Sequence, residues 1–212
     1  MDIFVDGQSI DGGFVENITT VEQAVQHIQA DVCGSDRMVV SLRCDGQAVP
    51  AEAMTDTLSR SISSFDRLDI ATGTKSSLVI EAMEQASTCL SETEAACRQT
   101  AEMLTEGKTA EAAQSLRDCL RVWQQIHEAV AHSIEMLRLD LEQATVNDRP
   151  LLEIIGRPRD ALLQVRDALQ SQDYVLLADI LQYEFSEVTD CWQAVIGRLR
   201  HEAEEVAAES AT

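Results

Sequence analysis

The strongest constraint on the fold of this chain is an apolar repeat in its last forty residues. Apolar side chains recur there at alternating steps of four and three residues, which is the pattern of one helical face that packs against other helices. Its members are Tyr174, Ala178, Leu181, Phe185, Val188, Trp192, Val195 and Leu199. The repeat predicts a long helix in a helical bundle. It indicates how the helix packs, and it indicates no catalytic or ligand-binding residue.

The same spacing predicts two earlier helices, one with a seam from Val79 to Leu104 and one with a seam from Leu116 to Ala144, which includes His127. Gly107 ends the first helix, because glycine readily takes the left-handed conformation of a helix C-terminus. Ser76 or Ser77 is the expected N-cap of the first helix and Thr109 that of the second. Asn147 and Pro150 end the second helix, which would then be roughly 37 residues and 55 Å long at 1.5 Å per residue.

A third helix is predicted at about residues 150–171, with a kink or break at Gly156-Arg157-Pro158. Asp173 is the expected N-cap of the last helix. Because the connections are short, successive helices should lie antiparallel. The region at 75–207 is therefore predicted to be an elongated all-α antiparallel bundle of about four helices, followed by a disordered tail at 208–212.

Residues 1–74 have the short periods and dense turn signals of an α+β domain. Asp6-Gly7 and Asp45-Gly46 each predict a tight hairpin turn, because both turn positions favour positive φ angles. Thr19 to Glu22 has the spacing of a capping box, which predicts a helix at about residues 20–32. A short helix at about residues 51–60 and a last strand at Leu68–Ala71 complete the order ββαββ(α)β.

This order resembles the β-grasp arrangement of ubiquitin-like domains, and the opening Met-Asp-Ile-Phe-Val is similar to the first strand of ubiquitin. The resemblance implies a β-grasp-like α+β head that pairs with another protein. It does not imply covalent attachment, because Gly73 is followed by Thr74 and Lys75 and not by a free di-glycine end.

Composition limits the classes of partner and location. The chain has 16 basic and 37 acidic residues, a net charge of −21, and such a surface repels nucleic-acid phosphates and anionic lipids. We therefore expect no nucleic-acid partner and no membrane insertion. With no basic, signal-like start and no long apolar run, a cytoplasmic location and six reduced cysteines are expected. Cys97 should lie roughly opposite Cys119, so that an oxidation-sensitive pair is conceivable there.

Motifs for chemistry are missing from the sequence. There is no phosphate-binding glycine loop, no nucleophile elbow and no Glu-x-x-His pair of a di-iron bundle. His127 and His132 are five residues apart and point to different faces of one helix, and His127 on the seam is interpreted as a core or boundary histidine. No catalytic residue, metal or cofactor is predicted, and the chain is expected not to be an enzyme.

The candidate interaction surface lies at the start of the last helix, where the sequence is apolar on nearly every side. Such a helix end is either buried all round or offers an apolar patch to a partner. The predicted surface residues are Tyr174, Asp179, Tyr183, Glu184 and Phe185. If the chain turns near residue 172, Asp179 should pair with Arg166 and Glu184 with Arg159.

Two stretches carry a resemblance to an uncharacterised family of bacterial cytoplasmic proteins. They are D-Y-V-L-L-A-D-I-L-Q-Y-E at residues 173–184 and V-x-L-x-x-D-G at residues 40–46. The resemblance supports the architecture, places such proteins loosely near motility and supplies no activity.

The leading expectation is a non-enzymatic cytoplasmic scaffold that binds a protein partner, which could be its own copy. The alternative is a small acidic chaperone or adaptor for an exported or filament-forming protein, which would use the apolar face to shield an amphipathic helix. An enzyme with polar residues converging in a cleft is the third class.

Overall fold

The computed structural model describes residues 2–10, 18–31, 33–34 and 36–210. The chain divides into two compact units between Leu78 and Val79. The first unit contains a five-stranded sheet, and the second is mostly helical, so the protein is of mixed α+β class. No helix of the described residues is both long and apolar enough to cross a membrane.

The sheet of the first unit has the strand order β2-β1-β5-β3-β4. Strand β1 lies parallel to β5, and β3 lies antiparallel to β5. One face of the sheet packs on helix α1 through a core that includes Ile3, Val21, Ile28, Leu68 and Ile70. The elements are β1 (Asp2–Val5), β2 (Gln8–Ser9), α1 (Val21–Asp31), β3 (Arg37–Cys44), β4 (Gln47–Ala48), α2 (Ala51–Ser59) and β5 (Arg67–Thr74).

Both predicted hairpins are confirmed. Strand β1 pairs with β2 and β3 pairs with β4, and each turn is an Asp-Gly pair with positive φ at both residues. The values are 50° at Asp6, 80° at Gly7, 51° at Asp45 and 80° at Gly46. This left-handed geometry matches the twist of the flanking strands, which is why Asp-Gly is a strong hairpin signal.

The predicted capping box of α1 is displaced by one residue. Gln23, and not Glu22, returns to the start of the helix: its backbone N–H donates to Thr20 Oγ1 at 3.3 Å. Its side-chain Oε1 accepts from the backbone N–H of Thr19 at 2.8 Å. The amide serves as well as a carboxylate because an acceptor oxygen is all that the motif requires.

One stretch of the edge of strand β3 is closed by a side chain. Strand β4 covers β3 only at Arg43 and Cys44. At the other end, Gln29 of α1 donates from Nε2 to the carbonyl oxygen of Arg37 at 2.9 Å and accepts at Oε1 from the N–H of Val39 at 3.0 Å. The amide thus makes the two hydrogen bonds that a neighbouring strand would make, and it blunts an edge that could pair with another chain.

The second unit is built from four long helical stretches and a small hairpin. Thr74 and not Ser76 or Ser77 caps the first helix, since Thr74 Oγ1 accepts from the N–H of Ser77 at 3.1 Å. Gly107, with a φ of 79°, follows that helix as predicted. The elements are α3 (Lys75–Thr105), α4 (Thr109–Leu137), β6 (Thr145–Val146), β7 (Arg149–Pro150), α5 (Leu151–Ser171), α6 (Tyr174–Asp179), a π-helical segment (Ile180–Glu184) and α7 (Phe185–Ser210).

Helix α4 is shorter than predicted, and Thr109 is its first residue and not its cap. It ends at Leu137, because Arg138 takes the left-handed conformation with a φ of 53°. The predicted continuation contains instead the hairpin β6–β7, which pairs around Asn147 and Asp148 with φ values of 51° and 62°. Positive φ at two successive residues is the geometry of a tight hairpin turn, so the Asn-Asp pair is a turn between two strands and not a helix end.

The last two helical stretches also differ from prediction. Helix α5 runs without a break through Pro158. The final helix contains the π-helical segment Ile180–Glu184, which the repeat does not reveal. Helix α7 continues to Ser210, three residues into the stretch predicted as a disordered tail.

The core of the second unit contains most of the predicted seam. Seven of the eight residues of the repeat are buried, and the exception is Tyr174, which is 39% exposed. Polar contacts also join α7 to α3: Gln193 accepts from Ser87 Oγ at 2.9 Å and donates to the carbonyl oxygen of Ser87 at 3.0 Å. Packing and hydrogen bonds therefore fix the last helix on the core.

Candidate interaction surface

The predicted interaction segment begins at a sharp helical hairpin. Gln172 takes the left-handed conformation with a φ of 55° and ends α5. Asp173 caps α6 as predicted, since its Oδ1 accepts from the N–H of Leu176 at 2.9 Å. The two signals place Tyr174, Val175 and Leu176 in the first turn of the last helical stretch.

Large apolar side chains are exposed around this hairpin. Val175 is 75% exposed, Tyr183 is 62% exposed and Leu176 is 46% exposed. Leu169 on α5 and Tyr174 are exposed to a smaller extent. We call these five residues the hairpin surface. Leu169, Val175 and Leu176 are absent from the predicted set, and their position outside the predicted seam does not distinguish them from buried Leu177 and Ile180, which also lie outside it.

The structure separates the five residues of the sequence prediction. Tyr174, Asp179, Tyr183 and Glu184 are exposed. Phe185 is only 3% exposed and lies in the core, so its assignment to the surface is corrected. Its ring packs edge-on against Trp123 with centroids 6.0 Å apart, because the seam position that follows the π-helical segment faces inward.

The two predicted ion pairs of the hairpin are wrong. Arg166 pairs with its chain neighbour Asp167 at 2.7 Å and not with Asp179. In the part of the chain that the structure describes, no ion pair joins Glu184 to Arg159 either. For Glu184, the prediction assumed a regular α-helix after the turn, and the π-helical segment that contains Glu184 changes its angular position.

The charged side chains of the segment between Arg166 and Arg198 are all acidic. No lysine or arginine occurs between Arg166 and Arg198. Six acidic residues lie in that interval, and all six are exposed in the structure. They are Asp167, Asp173, Asp179, Glu184, Glu187 and Asp190. We call these six residues the acidic border, and only Asp190 among them interacts with an arginine of another helix, Arg98 of α3, in the part of the chain that the structure describes.

A cluster of four rings, one of which is Phe185, lies between α4 and α7. The rings of Trp123 and Trp192 meet edge-on with centroids 5.6 Å apart, and His127 lies over Trp192 at 5.6 Å with the planes tilted by 31°. His127 is exposed, which corrects its interpretation as a core or boundary histidine. Trp192 is fully buried, and its Nε1 has no hydrogen-bond partner among the described residues. His127 covers the tryptophan because α4 places it one turn beyond Trp123.

Two thiols meet between α3 and α4. Cys97 and Cys119 are buried, and their side chains share a hydrogen bond, so the predicted proximity is confirmed. That hydrogen bond, with another from Ser115, lowers the pKa of Cys119. The pKa of Cys97 is raised, because Cys97 supplies the proton of the shared bond and lies in an apolar environment. Both cysteines are free.

Among the described residues, no three or more His, Cys, Asp or Glu side chains form a group that could hold a metal ion. The arrangement combines an exposed apolar patch, an acidic border and a rigid helical support. The protein is thus of mixed α+β class, with exposed apolar side chains at a hairpin of its helical unit.

Comparison with known families identifies the family to which the chain belongs. Residues 81–195 match a domain of unknown function, DUF8042, and this match covers more than half of the chain. The protein therefore belongs to the DUF8042 family. Residues 1–74 match the TP0873 N-terminal domain. These two matches confirm that the chain resembles an uncharacterised family. Neither a curated protein nor a solved structure matches the chain.

Proposed function

We propose that this protein is a non-enzymatic protein–protein interaction module that binds a basic, amphipathic segment of its partner on the hairpin surface. The observation that carries the proposal is the exposure of Val175 and Tyr183, at 75% and 62%, in a chain segment that has six exposed acidic residues and no lysine or arginine. Exposed apolar patches with polar rims are typical of interaction sites. The acidic border would favour a positively charged partner.

The apolar side chains would supply most of the affinity. Withdrawing a large aliphatic or aromatic side chain from water contributes on the order of 1.5–3 kcal/mol when burial is complete. Tyrosine is favoured at binding hot spots because it buries a large rigid ring and keeps a polar hydroxyl at the edge. Tyr174 and Tyr183 on the hairpin surface offer this combination.

The acidic border would supply orientation and a fast association rate. Complementary charge accelerates encounter and excludes partners of like charge. A second copy of the chain would present the same carboxylates to this surface, so a basic partner is favoured over self-association here. The same charge disfavours nucleic acid, whose phosphates would be repelled.

We extend the proposal to the architecture and the location. The strand order, together with the parallel pairing of β1 and β5, supports a β-grasp arrangement in the first unit. The single core shared by α3, α4, α5 and the α6–α7 stretch supports a bundle of four helices in the second. The absence of a membrane-spanning helix among the described residues is compatible with the cytoplasmic location expected from the sequence.

A chaperone or adaptor for an exported or filament-forming protein is the second candidate. It is supported by the continuous exposure of Tyr174, Val175 and Leu176 at the end of a hairpin, where the apolar face of a client helix could lie. In that case the hairpin surface would be covered by one client and released when the client leaves.

The test uses two synthetic amphipathic helices of equal length, one with leucine and lysine and one with leucine and glutamate. Binding to the full chain is measured by fluorescence anisotropy of the labelled peptide. We expect the lysine peptide to bind, to weaken as salt is raised, and to be lost when Val175 and Tyr183 are both replaced by serine.

The matched control is Leu152→Ser, because Leu152 is 51% exposed on α5 but lies at the other end of that helix. It should leave binding unchanged. Equal binding of both peptides, or equal loss in the control and the double variant, would contradict the proposal.

A further inference from the structure

We propose that the groove between α4 and α5 is a binding site for a small organic cation with an apolar body, such as a quaternary or aromatic amine. This site is separate from the hairpin surface and is not required by the proposed function. It has a volume of about 570 Å³, within the range of roughly 300–1,000 Å³ that is typical of small-molecule sites. We call it the aromatic groove, and the residues used in the argument are Trp123, Gln124, His127, Glu128, Leu162 and Phe185.

The apolar wall of the aromatic groove comes from three elements. Trp123 of α4, Leu162 of α5 and Phe185 at the start of α7 all line it. Trp123 is held between two rings, edge-on to Phe185 at 6.0 Å and edge-on to Trp192 at 5.6 Å. Because these contacts fix the wall before a ligand arrives, little conformational entropy is lost on binding.

The ring faces favour a cation. Trp123 and Phe185 are 5% and 3% exposed, so the groove reaches only part of each ring. Indole and phenyl rings carry negative charge on their faces, which attracts a nearby cation. His127 adds a further ring at the rim, where it lies over Trp192. An apolar cation would therefore find both hydrophobic contact and electrostatic attraction in the same groove.

The charged group of the aromatic groove points to the same ligand class. Glu128 is the only charged residue among the described residues that line it. Gln124 donates from Nε2 to Glu128 Oε1 at 3.0 Å, which orients the carboxylate and leaves its second oxygen for a ligand. The net charge of −21 further attracts cations and repels anions over the whole surface.

The protein supplies its own reporter of occupancy. It contains two tryptophans, Trp123 and Trp192, and both belong to the ring cluster of this site. We would titrate the full chain with benzyltrimethylammonium and follow tryptophan fluorescence. Benzyl alcohol and benzoate carry the same ring without the positive charge, and they serve as the neutral and anionic probes.

We expect a saturable fluorescence change with benzyltrimethylammonium, weaker binding of benzyl alcohol and none of benzoate. Glu128→Gln should weaken cation binding about two- to fivefold, the effect of one exposed ion pair, and leave the binding of benzyl alcohol unchanged. Glu135→Gln is the matched control, because Glu135 is an exposed carboxylate on α4 outside the groove.

Three results would overturn the assignment. One is a change that never saturates, which indicates collision and not binding. Another is benzyl alcohol or benzoate binding as tightly as the cation. The last is an equal loss in Glu128→Gln and Glu135→Gln, which would mean that the cation responds to the overall charge and not to this groove. Both variants are exposed substitutions, and their circular dichroism spectra would verify that the fold is retained.

Discussion

Replacing Gln29 by leucine should open the closed stretch of strand β3. The leucine has about the same size and helix propensity, but it can neither donate to Arg37 nor accept from Val39. Both backbone groups then lose their partner, and strand β4 does not extend far enough to replace it.

The magnitude follows from the two hydrogen bonds. Each is 2.9–3.0 Å long and half-buried. A typical intramolecular hydrogen bond contributes about 0.5–1.5 kcal/mol to stability, so the pair contributes about 1–3 kcal/mol. Burial of the apolar leucine side chain offsets part of this loss in the global free energy of unfolding. It does not offset the loss in the free energy of local opening at Val39. The free energy of local opening at Val39 is therefore a better measure of the two hydrogen bonds than the global free energy of unfolding.

Native-state hydrogen exchange at the amide of Val39 measures that opening directly, since this N–H donates to Gln29. The matched control is Gln26→Leu, because the Gln26 side chain donates to exposed Glu22 on the same helix and, among the described residues, to no strand. We expect faster exchange at Val39 in the Gln29 variant and concentration-dependent dimerisation through the opened edge. Exchange at Val39 that is equal in both variants would refute the interpretation of Gln29 as a substitute strand.

Four further predictions concern single side chains. Thr72 donates to Asp6 and holds the pKa of its carboxyl below the usual range, so the stabilisation is present at neutral pH and is lost as the pH falls through that lowered pKa. Asp6→Asn should therefore flatten the acid side of a plot of stability against pH. Asp173→Ala removes the α6 cap and should lower the free energy of unfolding by about 1 kcal/mol in urea titrations. The ultraviolet absorbance of the Cys119 thiolate, measured as the difference between the protein and Cys119→Ser, should reach half of its maximum below a pH of about 8.5, the ordinary thiol pKa, and this measurement needs no reagent to reach the buried thiol. Arg166→Ala should leave the melting temperature unchanged, because its ion pair with a chain neighbour is exposed.

Each of these has a contrary outcome. If stability falls at acid pH in Asp6→Asn as it does in the unchanged protein, folding does not stabilise the Asp6 carboxylate. A neutral Asp173→Ala substitution would mean that the cap is frayed in solution. A half-maximal absorbance change above a pH of about 8.5 would contradict the lowered pKa of Cys119. A clear loss of stability in Arg166→Ala would restore a structural role for the arginine.

The sequence predicted those parts of the fold that local chemistry determines. The two Asp-Gly pairs specify hairpins because the backbone must take positive φ there, and Gly107 and Asp173 mark helix ends for similar reasons. The seam of the last helix was predictable because burial repeats with the helical period. These signals depend on a residue and its near neighbours only.

The features that the sequence did not predict depend on partners that are distant in the chain. Asn147 is equally typical of a helix end and of a hairpin turn, and the pairing of β6 with β7 shows that it lies in a hairpin turn. Phe185 and His127 occupy similar seam positions, yet packing buries the first and exposes the second. In the candidate surface, Val175 could not be separated from its buried neighbours without knowing which side faces α5.

The π-helical segment Ile180–Glu184 makes the last helix unevenly tolerant of changes in length. A π-helical turn contains about one residue more than an α-helical turn. Deletion of one residue there would convert it to an α-helical turn and keep both flanks facing the core. The same deletion at Gly197 would rotate every later side chain by about 100° and turn Leu199 and Ala203 away from the core. Within this helix, insertions and deletions among natural variants should therefore concentrate beside the hairpin surface, where they alter what a partner meets and leave the support unchanged.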